Sequence, residues 1–142
     1  MNLSKPTIAL LTAAFMALLF KVGSAQEKTV PRALFEVTSD SEQAWEEALN
    51  HVENLRKAMS GVEIEVVGHS AGIEMMRNRP GAGADRMKAL SSAGVVFAAC
   101  ENTMKKKNLT KADLLPFVTT VDSGVAEVVR RQQQGWSYVR EK

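Results

Sequence analysis

Past residue 30 the chain alternates between two hydrophobic rhythms, and the alternation sets out its elements. Ala33–Val37 is a short apolar-rich run that reads as a first strand. Trp45, Ala48, Leu49, Val52, Leu55 and Met59 then recur at helical spacing, with a Ser39/Glu42 capping pair ahead and Gly61 as the stop. Val62–Gly68 switches to period two: Glu63 and Glu65 alternate with Ile64 and Val66, which predicts a strand with one wetter face. Ile73–Arg79 and Ala84–Ala93 are short helical candidates on either side of the loop Pro80-Gly81-Ala82-Gly83. Val95–Ala99 has no polar residue and reads as a central strand buried on both faces. Cys100–Lys107 begins another helix, Thr110 and Asp113 cap a further turn, and Val118–Val121 is a short strand. Asp122 or Ser123 caps a helix with Val125, Val128, Val129 and Gln132 on one face; Gly135 ends it, and Trp136–Arg140 is the last strand.

The resulting order, β-α-β-α-α-β-α-β-α-β, predicts an α/β domain with a parallel sheet covered by helices on both sides. In such sheets ligands and chemistry collect outside the carboxyl ends of the strands. That rule selects Gly68–Gly72, Ala99–Met104 and Val121–Gly124.

The first 25 residues follow a different pattern. Lys5 precedes Thr7–Phe20, an uncharged and mostly apolar run of 14 residues, and Lys21 closes it. Val22-Gly23-Ser24-Ala25 then supplies small residues at the −3 and −1 positions of a cut after Ala25, as in an export signal. The run is shorter than the ~18 residues a spanning helix needs. Residues 1–25 therefore read as a signal peptide, with an uncleaved N-terminal anchor as the alternative, 26–142 as one domain, and the protein as exported, to the periplasm in a bacterial cell, without membrane contact once the leader is cleaved. Lys5 and Lys21 are the leader's only charges, so the 18 basic and 16 acidic side chains of the whole chain become 16 of each. Taking 25 from 142 leaves 117 residues with no formal net charge, enough to bury a core and without the basic patch that nucleic acid calls for. A neutral domain is also open to self-association.

Gly68-His69-Ser70-Ala71-Gly72 spells the G-x-S-x-G of a nucleophile elbow after a strand. A serine hydrolase of that type carries its His beyond the Ser, with an acid between them. The only histidines here are His51 and His69, so serine hydrolysis is not expected. Cys100 is more informative. The single cysteine excludes an internal disulfide and a Cys-rich zinc site, and no close-spaced second ligand suggests a metal. It sits where an apolar strand meets a helix, and unpaired N–H groups there favour a thiolate. Glu101 opposes this and Lys105–Lys107 offsets it. The competing reading is a small packed residue, since free Cys is among the most buried types. His69, ending the second strand, is a weaker candidate as an assisting base for the thiol. Arg77, Arg79 and Arg86 flank the glycine-rich loop and are candidates for holding an anion. Trp136 and Tyr138 read as one face of a strand, or as part of a subunit interface. No residue pattern calls for a cofactor.

Three blocks give the sequence a resemblance: Gly94-Val95-Val96-Phe97-Ala98-Ala99-Cys100-Glu101-Asn102-Thr103-Met104, Val121-Asp122-Ser123-Gly124-Val125-Ala126-Glu127, and Gln132 through Tyr138. Together with Ile64-Glu65-Val66-Val67-Gly68-His69 they resemble the DsrE/DsrF-like family over roughly residues 29–142. The resemblance implies a three-layer α/β/α sandwich with a mainly parallel five-stranded sheet, often assembled into homotrimers or homohexamers. It also implies sulfur relay: a persulfide carried on Cys100 and passed between a donor and an acceptor protein, with Glu101, Asn102 and Ser123 as further site candidates. Best-characterised relay members are cytoplasmic, whereas this chain has an export signal. The alternative function is a non-enzymatic oligomeric module that binds a small ligand or serves assembly, with a structural cysteine.

Overall fold

The computed structural model describes residues 30–79 and 83–142. The proposed signal peptide, residues 1–25, and most of the Pro80–Gly83 loop lie outside the described residues. Five strands form one parallel sheet in the order β4-β3-β2-β1-β5: β1 (Arg32–Val37), β2 (Glu63–Gly68), β3 (Val96–Cys100), β4 (Thr119–Val121) and β5 (Ser137–Glu141). Helices α1 (Glu42–Ala58) and α2 (Ala84–Ser92) cover one face, α3 (Glu101–Lys106) sits at the carboxyl edge, and α4 (Gly124–Gln133) lies on the other face. This is the three-layer α/β/α arrangement expected from the sequence.

The main core lies under α1 and α2. Trp45, Ala48, Leu49 and Val52 of α1 meet Ala33, Phe35 and Val37 of β1, Ile64 and Val66 of β2, and Phe97 and Ala99 of β3. The alternation of side chains across each strand sends Leu34, Val67 and Ala98 to the opposite face, where Val128 of α4 and Trp136 pack on them.

Several local expectations change. Helix α1 is capped at Ser41, and Ser39 instead accepts the Ser41 N–H on its hydroxyl and the Trp45 indole N–H on its carbonyl. The segment expected as a helix over Ile73–Arg79 is a 3-10 turn over Ser70–Met76, drawn tight where Gly72 presses on the end of β1. β3 is next to the edge rather than central, and Val96 is 41% exposed because α4 runs back to β5 on the far side of the sheet. The second face of β2 is not wet: Glu65 is buried beneath α4. Helix α4 accordingly turns Glu127 inward, leaving Val125 and Val129 exposed. The Thr110/Asp113 pair forms as expected, the Asp113 carboxylate accepting the Thr110 N–H at 2.7 Å and its hydroxyl at 2.8 Å.

Candidate functional site

The parallel register places the strand-end residues side by side. Gly68 pairs with Ala99 and Cys100 with Val121, so His69, one residue past β2, continues the register opposite Cys100. Two-residue alternation puts Glu36, His69 and Cys100 on the α4 face of the sheet. The N-terminus of α4 arrives between His69 and Cys100. Gly124 makes that approach possible: a Cβ there would fall 2.8 Å from the His69 Cβ and 2.9 Å from its Cδ2.

Cys100 ends β3 and caps α3. Burial pushes its thiol pKa up. The Thr103 hydroxyl and the backbone N–H groups of Gly124, Thr103 and Asn102 outweigh burial, and the pKa falls below the ordinary thiol value. The Asn102 N–H is shared with the Asp122 carbonyl at 3.3 Å. Groups from two helix starts thus favour the anion of one thiol. Glu101 turns aside, its carboxylate accepting the Thr120 hydroxyl at 2.8 Å. The Asn102 side chain is exposed, so its contribution to the cradle is its backbone N–H. Ser123 caps α4 by accepting the Ala126 N–H at 3.3 Å, and the N–H of the residue after it, Gly124, helps to lower the Cys100 thiol pKa. Thr103 and Gly124 are the site residues that sequence reading passed over. A glycine opening a helix just behind a capping serine was the available signal, since glycine disfavours helix and marks a close approach.

His69 does not direct a ring nitrogen at the thiol. Its Nε2 lies 2.7 Å from Glu36 Oε1 and its Nδ1 3.1 Å from Ser70 Oγ. Burial raises the Glu36 carboxyl, but hydrogen bonds from Tyr138 and His69 outweigh it and hold the pKa below the usual carboxylate value. With Nε2–H donated to Glu36, Nδ1 accepts the Ser70 hydroxyl proton, an assignment that satisfies both contacts. Ser70 has a φ of 54°, and its N–H donates to Thr103 Oγ1 at 3.1 Å. A Glu36-His69-Ser70 chain therefore exists without any histidine beyond the serine. The Gly72 N–H following it is bound to the His69 carbonyl at 2.9 Å.

A cleft of about 500 Å3 opens beside Thr103, lined by Ser70, Ala71, Asn102, Thr103, Lys106 and Lys107. A wider one, about 810 Å3, lies at the amino ends of β2 and β3 around Arg56, Glu63 and Gly94, away from the thiol. The three arginines considered for an anion have other partners: Arg86 binds Glu46, Glu53 and Asn50, Arg77 binds Glu74, and Arg79 lies 5.2 Å over the Trp45 ring. Among the described residues no group of three or more His, Cys, Asp or Glu is placed to hold a metal, and no helix is long and apolar enough to cross a membrane.

The parallel sheet with a donor-cradled thiol at its carboxyl edge defines an α/β domain built around a strand-end cysteine. The chain belongs to the DsrE/DsrF-like family, which matches residues 32–140. It is similar to the solved structure of the protein of unknown function MTH1491 from Methanobacterium thermoautotrophicum. That similarity has 36% identity and a TM-score of 0.74, and it covers 78% of this chain and 98% of that one. A search of curated proteins finds no match.

The cradle makes a direct prediction. Ultraviolet titration of the thiolate, with the Cys100→Ser protein as blank, is expected to give a midpoint below that of a cysteine peptide. A midpoint at or above the peptide's contradicts the cradle.

Proposed function

We propose that this protein is an exported sulfur carrier that holds sulfane sulfur on Cys100. What supports the reading is the place of Cys100 at the carboxyl edge of the sheet, where the Thr103 hydroxyl and the Gly124, Thr103 and Asn102 N–H groups hold its thiol pKa below the ordinary value. A thiolate is the form that attacks sulfur. Family membership adds to this, through the sulfur-relay role the resemblance implies. In the reaction the Cys100 thiolate attacks the outer sulfur of a donor persulfide. The donor's S–S bond breaks, a new S–S bond forms on Cys100, and the donor leaves as a thiolate. An acceptor thiolate then takes the outer sulfur and Cys100 is regenerated. No external oxidant or reductant enters either step. The partners are a donor and an acceptor protein, and the cleft beside Thr103 offers an approach.

The carrier would work as a homo-oligomer, a trimer or hexamer. Val96, Val125 and Val129, at 41%, 60% and 49% exposure, supply apolar surface on the α4 side for self-association.

One observation favours the second reading, a structural thiol in a binding or assembly module: Cys100 is only 4% exposed. The two readings part on a single experiment. After incubation of the domain with a low-molecular-weight persulfide, the carrier reading expects a mass gain of one sulfur that Cys100→Ser abolishes. An unloaded native protein whose thiol reacts rapidly only after unfolding would establish the structural reading instead.

A further inference from the structure

Two sets of contacts lead away from His69, and they end on Gly124 and Thr103, two residues that favour the Cys100 thiolate. Along the first, the His69 side chain is the surface on which Gly124 rests, the closest approach for an added Cβ being 2.8 Å, and the Gly124 N–H is one of the groups that lower the Cys100 thiol pKa. Along the second, Nδ1 holds the Ser70 hydroxyl at 3.1 Å, the Ser70 N–H donates to Thr103 Oγ1 at 3.1 Å, and the Thr103 hydroxyl is the foremost of the groups that lower the Cys100 thiol pKa. Because Thr103 Oγ1 accepts from Ser70, its own proton is left free to point at Cys100.

His69 is itself clamped. Its Nε2 is 2.7 Å from Glu36 Oε1 on the neighbouring strand, and the other Glu36 oxygen accepts the Tyr138 hydroxyl from β5. Arg140 lies further off, its Nε 3.7 Å from that oxygen. His69 is 9% exposed and Glu36 7%, so the clamp is shielded from solvent. Ser70 adopts a left-handed backbone, φ 54°, that a non-glycine residue holds only when its surroundings fix it. Its side chain and its N–H are both engaged, which supplies that fixing.

We propose that His69 is a positioning residue for Cys100: locked by Glu36, it sets the places of Gly124 and Thr103 and thereby aims two of the donors in the sulfur's cradle. It touches neither the sulfur nor a substrate through a ring nitrogen. The inference rests on Cys100 being the working group of the site, and its test does not require sulfur transfer. Of the other charged groups beside the cradle, Glu101 of α3 is engaged by Thr120, Asp122 of the β4–α4 turn by Arg130 at 2.5 Å and Lys107 by Glu74 at 2.9 Å, while Lys106 lines the neighbouring cleft.

The experiment is the pH midpoint of the Cys100 thiolate, read by ultraviolet absorbance in the full domain, beside a thermal melt. His69→Ala is expected to move the midpoint up by about one pH unit, the scale of a weakened hydrogen bond to a charged group. Ser70→Gly suits the left-handed backbone and keeps the N–H, and is expected to move it in the same direction by less. If His69→Ala fails to fold, Ser70→Gly alone decides. A role in stability only would lower the melting temperature and leave the midpoint in place, and that result in folded variants overturns the proposal. Sulfur loading of the unmodified protein is measured separately. A low midpoint without loading sinks the carrier reading and leaves the positioning role of His69 standing.

Discussion

Replacing Gly72 with alanine is expected to remove most of the folded protein. Gly72 lies in the 3-10 turn after β2, and a Cβ there would sit 2.0 Å from the Val37 carbonyl oxygen, 2.4 Å from its carbon and 2.8 Å from the Thr38 nitrogen. All three are backbone atoms, so no rotamer change relieves the overlap. Nor can β1 yield. Val37 is fully buried, pairs with Gly68 on one side and Glu141 on the other, and its carbonyl accepts the His69 N–H at 3.3 Å. Relief requires the turn to lift off the sheet, exposing Ile73, Met75 and Met76, each buried in the main core. Overpacking alone costs ~1–3 kcal/mol, and the added loss of core contacts takes the total past ~4 kcal/mol. That approaches the whole stability of a small domain. The melting temperature should fall by at least ~15 °C, measured by circular dichroism. A fall of only a few degrees would mean that the turn is free to move, and with it the hold on His69 and Ser70.

The backbone of the fold was legible because its signals are local. The change from period 3.6 to period two at Val62 and the glycine stop at Gly61 bound α1 and β2 without reference to anything distant. The strand-end place of Cys100 follows from the apolar run ahead of it and the helix-forming residues behind. What could not be read depends on pairing between remote segments. The valines of α4 suggested an apolar inner face. Glu65 occupies the facing sheet surface, so α4 turns charged residues toward it, and a local pattern cannot know what it will face. Val96 looked buried for the same reason, since its cover depends on α4 returning to β5. The cradle is assembled from Gly124 and the Cys100–Thr103 turn, and its support from Glu36, His69 and Ser70. Only the parallel register brings these together. The elbow-like Gly68–Gly72 motif was a real structural signal with a different meaning: its serine orients Thr103, and its second glycine lets the turn reach β1.

Removing Arg131 is the second change with a large expected effect, and it acts on the buried charge under α4. Glu65 is 1% exposed, and Arg131 Nη2 lies 2.6 Å from its Oε2. Both Glu65 oxygens lack a partner at hydrogen-bonding angles, so charge more than directionality holds the pair. Arg131 also binds Glu127 at 2.8 Å and stacks 4.7 Å over Trp136. Arg131→Met keeps much of the stacking volume and leaves Glu65 buried without its cation. Breaking a buried pair from one side costs ~3–5 kcal/mol. Burial already raises the Glu65 carboxyl pKa, against the lowering influence of Arg131. Losing the guanidinium raises it further. A carboxyl raised in the folded state binds its proton more tightly there than in the unfolded chain. Stability is therefore lost as pH rises from the ordinary value of 4.5 through the folded pKa. The deficit of Arg131→Met relative to the unmodified protein should accordingly be larger at pH near 7 than near 5, in urea unfolding followed by fluorescence. Adding Glu65→Gln removes the stranded charge and should recover a large part of the loss, because the amide carries only the milder cost of an imperfectly paired dipole. A deficit that is independent of pH and untouched by Glu65→Gln would assign the effect to lost packing on Trp136 and not to the buried carboxylate.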